Sequence, residues 1–69
     1  MHRFKKLDTV ALLIKIPEYA LVPGQVGTIL DHLEKGVYEV EFADKLGQTL
    51  ASIAVKAKNL MLLHYETVK

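Results

Sequence analysis

Between Val37 and Phe42 the chain reads VYEVEF, placing Tyr38, Val40 and Phe42 on one side and Val37, Glu39 and Glu41 on the other. Period-two alternation of this kind predicts a strand with one buried and one wet face. The preceding run, VGTILDHLE over residues 26–34, is just as apolar but does not alternate. Ile29, Leu30 and Leu33 cannot all lie on one face of a regular strand. A long, bent strand shared between two sheets is expected instead, with Gly27 where another part of the chain comes close. Lys35-Gly36 between the two runs has the length of a tight hairpin turn, in which Gly36 supplies a positive φ.

The rest of the chain falls into shorter runs. TVALLIKI over residues 9–16 predicts a buried strand, because Pro17 ends it too early for a helix. Residues 17–24 form a loop bounded by prolines and closed by a Pro23-Gly24 type II turn. Within it Leu21 is expected to fold over the core, and Tyr19 is either a second lid or an exposed anchor. ADKLG over residues 43–47 predicts a second hairpin turn, with Gly47 like Gly36 at positive φ. The next strand, residues 49–55, sets Ala51, Ile53 and Val55 on one face and Leu50, Ser52 and Ala54 on the other. One helical or 3₁₀ turn at 56–59 and a short strand at 60–64 complete the domain. Residues 1–8 read as a loose basic arm with Phe4 and Leu7 as anchors, and residues 65–69 as a tail. The predicted fold class is all-β: a five-stranded SH3-like barrel over residues 9–64 with one short 3₁₀ turn before the last strand. Ile29, Val40, Phe42, Ile53 and Leu60 are its expected core. Closure or half-closure of the sheet hides strand edges that would otherwise invite pairing.

Composition adds the matter of size. A chain of 69 residues holds one domain, and with no cysteine it has neither disulfides nor thiolate metal ligands. A hydrophobic fraction of 51% exceeds what so small a core can absorb, so part of it is expected at an interface. Self-association is the expected outcome, with Tyr19, Leu46, Leu50, Leu62 and Leu63 as candidate interaction residues and Leu13 beside them. The formal net charge of +1 gives no electrostatic ground for a nucleic-acid or membrane partner. The charge is uneven, though. Asp31, Glu34, Glu39, Glu41 and Asp44 face only Lys35 and Lys45 in the middle, while Arg3, Lys5, Lys6, Lys56, Lys58 and Lys69 lie towards the ends. No secretion signal or membrane span is legible, and a cytoplasmic location is expected.

Candidate chemistry is sparse. His2, His32 and His64 have no metal-ligand spacing. Glu39 and Glu41 lie about 7 Å apart on one strand face, as paired acids would, but an alternating strand makes that face its wet one. Ser52 has no nucleophile elbow around it. GQVG lacks the Lys-Ser/Thr of a phosphate loop. Three tyrosines and two phenylalanines without tryptophan make a poor stacking platform. No cofactor, metal or catalytic residue is expected.

The segments IPEYALVPGQVGTIL, GVYEVEFAD and LGQTLASIAVKAKNL, spanning nearly the whole chain, resemble a family of small bacterial, largely cyanobacterial, proteins known as domain of unknown function 4926. The resemblance implies a small SH3-like fold without assigned chemistry and would suit an antitoxin or immunity partner. A looser similarity, through Gly24, Gly27 and Ile29, is to the KOW segment of transcription and ribosomal proteins. That similarity would imply RNA binding, but the loop carries Glu18 and Gln25 in place of the basic residues such a segment uses. The function expected is therefore a non-catalytic protein-interaction module, self-associating or binding a neighbouring gene product.

Overall fold

The computed structural model describes residues 3–64; the predicted tail at 65–69 lies outside them. Five strands follow one another: β1 (Thr9–Leu12), β2 (Val26–Glu34), β3 (Val37–Ala43), β4 (Thr49–Lys56) and β5 (Leu60–Leu62). Two 3₁₀ turns, η1 (Pro17–Tyr19) and η2 (Ala57–Asn59), complete the set, and η2 stands directly before β5 as expected. All strand pairs are antiparallel, in one sheet of order β4-β3-β2-β1-β5. The predicted all-β class, with a long loop after β1, two tight hairpins and a single turn before the last strand, is the one the chain adopts.

The bend in β2 has an identifiable cause. Ile29 faces Val40 and Asp31 faces Glu39, leaving Leu30 as an extra residue; Leu33 is extra in the same way between His32 and Glu34. Each bulge resets the alternation by one residue. Ile29 thus stays in the core while Leu30 and Leu33 turn outward, which resolves the conflict in the apolar run. The N-terminal end of β2 pairs with β1, and its full length runs along β3, so one strand serves both halves of the sheet.

A single cross-strand row crosses the core on all five strands: Leu62, Val10, Gly27, Phe42, Ala51. Gly27 sits at its centre because the space is taken. A Cβ there would lie 2.7 Å from Val40 Cγ1 and 2.9 Å from the Phe42 ring. Ile29, Val40, Phe42 and Leu60 are buried as expected, together with Val10, Leu12, Leu21, Tyr38 and Val55. Ile53 is only half-buried and packs at the margin of this cluster. It lies on β4, the end strand of the sheet, where no further strand covers its flank.

Three expectations need correction. The first strand stops at Leu12, not at residue 16, because beyond it the chain turns to serve the loop: Leu12 donates to Gln25 and accepts from Gly24, and Ile16 bridges Leu21. The last strand ends at Leu62, although Leu63 N–H still donates to Thr9 C=O at 2.9 Å. Residues 3–8 are not a loose arm. Phe4 is a core residue, Leu7 N–H donates to Ile29 C=O, and Ile29 N–H donates to Asp8 C=O.

Candidate interaction surfaces

The two faces of a strand alternate, so the outward residues of this curved sheet can be read from the pairing register. Ala11 stands opposite Val26 on one side and Met61 on the other. Its neighbours Val10 and Leu12 belong to the core cluster and Ala11 does not, so the Val26–Ala11–Met61 row faces outward. The adjoining outward row is Thr28–Thr9, with Leu63 beside Thr9 through the backbone bond given above. Leu13, two residues beyond Ala11, is exposed as well. None of these seven residues carries a charge. Val26 and Met61 are each about half exposed, at 48% and 49%, while Ala11 at 6% lies in the hollow between them.

Across Thr28 the character of the surface changes. Thr28 also pairs with Glu41, which pairs with Ser52, and the neighbouring outward row runs Asp31–Glu39–Ala54. The two glutamates do not face each other as an acid pair. Ser52 Oγ donates to Glu39 and Thr49 Oγ1 donates to Glu41, each at 2.8 Å. Asp31 and Glu39 stand directly opposite one another, an arrangement of like charges that weakens cross-strand pairing. The outward surface therefore divides at β2 into an uncharged apolar half and a half that carries Asp31, Glu39 and Glu41, with Lys56 beside Val37 at its far end.

The predicted interaction residues do not gather in one place. Tyr19 ends η1 and is about half exposed, so it does not close over the core as a lid; Ala20 closes that turn in the left-handed region at φ 56°. Leu21, the other expected lid, is fully buried. Leu46 is at the tip of the β3–β4 turn, the most exposed large apolar side chain among the described residues. That turn is shaped by Asp44, whose Oδ1 accepts from Leu46 N–H and Gln48 N–H. Leu50 is exposed on β4. Leu62 packs against the core, because alternation from buried Leu60 points it inward. Leu63 falls on the uncharged outward half together with Met61 and Val26. Those two escaped the sequence reading because their juxtaposition depends on the register of β1 with both neighbours.

A third surface lies at the opposite end of β2 from the Gly24 loop. A shallow hollow of about 440 Å³ there is lined by Arg3, Lys35, Lys56 and Lys58 and by the one acidic residue Glu34. The Gly24 end carries a hollow too, about 560 Å³, but Glu41 and Asp44 line it with Lys45 as its one cation. Among the described residues no group of three or more His, Asp or Glu side chains is placed to hold a metal ion. No helix there is long and apolar enough to cross a membrane.

Searches among curated proteins and among solved structures found no match. A protein-family model does match, over residues 6–62, from the segment that donates to Ile29 through the last residue of β5. By that match the chain belongs to the family described as a domain of unknown function (DUF4926).

Proposed function

We propose that this chain is a non-catalytic interaction module that associates with a second copy of itself through the uncharged outer face of β2, β1 and β5. The observation that carries this reading is the Val26–Ala11–Met61 row with Leu13, Leu63 and two threonines around it, free of charge on three adjacent strands. The adjoining rows carry Asp31, Glu39 and Glu41, whose like charges disfavour stacking of two copies across them. A two-fold axis between β1 and β5 would set Met61 of each copy against the recessed Ala11 of the other, the isologous arrangement of most dimers. The outward patch, on three strands spaced about 4.8 Å apart and about five positions along the chain at its longest, outlines roughly 15 by 15 Å. That area is well below the ~800 Å² per partner of a tight complex. Association in the micromolar range or weaker is expected.

The side-chain chemistry supports a binding role over a catalytic one. Ser52 is engaged by a carboxylate, and the paired glutamates are each held by a hydroxyl on the wet face. Amide spectra recorded over a concentration series test the reading. Ala11, Val26 and Met61 should shift as concentration rises, with the acidic half unchanged. Shifts confined to Leu46 and the β3–β4 turn would place the contact elsewhere, and no shifts at all would show that the chain does not associate.

A further inference from the structure

Six of the nine Lys and Arg residues, Arg3, Lys5, Lys6, Lys35, Lys56 and Lys58, belong to three segments that the fold draws together. Two backbone arrangements accomplish this. Ala57 N–H donates to Gly36 C=O at 2.8 Å, which seats the Lys35-Gly36 turn between Lys56 and Lys58. Arg3 N–H donates to the Tyr38 hydroxyl at 3.0 Å, which fixes Arg3 beside that same hairpin. Arg3, Lys35, Lys56 and Lys58 then line one hollow against the single carboxylate of Glu34. A second hollow, lined in part by Lys5, Lys6 and His32, stands next to it through Arg3–Phe4 and Val37–Tyr38.

Gathering four cations round one hollow is unfavourable in the free protein, and a multivalent anion relieves it. The composition of the lining matches a phosphate group well. Lysine is a point-charge phosphate binder and arginine adds a forked donor, while Val37 and Ala57 contribute an apolar part of the wall. We infer that this hollow binds a phosphate-bearing ligand, through Arg3, Lys35, Lys56 and Lys58. The site is separate from the apolar face: it lies at the hairpin end of β2, whereas Val26 lies at the other end of that strand. It is also not the glycine loop that the KOW similarity singles out, where Glu41 and Asp44 would repel phosphate.

The test is titration of the full chain, followed by amide spectra, with inorganic pyrophosphate and, separately, a short single-stranded RNA. Shifts are expected at Gly36, Val37, Ala57 and Lys58. Lys35→Ala and Lys58→Ala should each weaken binding several-fold, and Lys45→Ala, in the far turn, should leave it unchanged. If RNA is the ligand and three phosphates are engaged, a fourfold rise in salt weakens it about 20-fold. A response to pyrophosphate with a shallow salt dependence for RNA identifies a small phosphorylated ligand as the source. The inference is overturned if neither probe shifts these amides. It is also overturned if Lys45→Ala weakens binding as much as the site variants do, or if poly-glutamate binds as tightly as the phosphate probes.

Discussion

Gly27 and Tyr38 show how much of this fold depends on single atoms. At Gly27 the missing Cβ is what allows Val40 and Phe42 to close over β2, so Gly27→Ala must push a methyl into a filled space. Overpacking of this kind costs about 1–3 kcal/mol, and urea unfolding should show it as a lowered midpoint. Tyr38 is buried, and its hydroxyl accepts from Arg3 N–H and Phe4 N–H while its ring meets Phe4 edge-on at 5.2 Å between centroids. Tyr38→Phe keeps the ring and removes the acceptor. We expect a loss of about 1–3 kcal/mol and faster amide exchange at Arg3 and Phe4, with β4 unaffected. Equal exchange in both proteins would show the clamp to be incidental. The close approach at Gly27 was legible from the sequence, since a glycine within an apolar strand marks one. The clamp was not: an alternating strand says that Tyr38 points inward, but not that its hydroxyl reaches a segment 34 residues away.

Among the elements, the hairpins were the most legible part and the segment ends the least. The turn at Lys35-Gly36 and the one ending at Gly47 stand where short glycine-containing gaps predicted them, with φ of 73° and 84°. Neither glycine has a neighbour within 4 Å of where a Cβ would lie, so backbone conformation alone decides what can replace them. Gly36→Val therefore places a β-branched residue in the left-handed region with its Cβ in open space and should cost about 1–2 kcal/mol or more. Unfolding in urea checks this, and unchanged stability would contradict the turn assignment. The strand pattern of β2 could not be settled from the run itself, because a bulge is defined by the partner strand: Leu30 and Leu33 turn outward only through their pairing with β3. The first strand was overextended for a similar reason. Leu13 and Ile14 continue the apolar run of TVALLIKI, but Leu12 is already bonded to the Gln25 and Gly24 backbone and the chain leaves the sheet there.

On the scale of the whole molecule, the surplus of apolar residues predicted an interface, and the fold redistributes the residues available for one. Leu62 turns into the core, Leu46 and Leu50 stand on the β3–β4 side, and the uncharged face is assembled from Leu13, Ala11, Val26, Met61 and Leu63. Only Leu13 and Leu63 of that set could be named from the sequence, since the others meet through register. The uneven charge was legible as a tendency of the chain ends. Its concentration round one hollow was not, because it depends on the Gly36–Ala57 and Arg3–Tyr38 bonds. Self-association through the uncharged face is the central claim, and sedimentation equilibrium over a range of concentrations tests it most directly. The wild-type chain should give a mass rising above the 7.8 kDa monomer. Met61→Glu, which puts a charge in the middle of the face, should return it to the monomer, while Leu50→Glu on β4 should not. A wild-type chain that stays monomeric throughout, or a dimer that survives Met61→Glu and is lost with Leu50→Glu, would contradict the account.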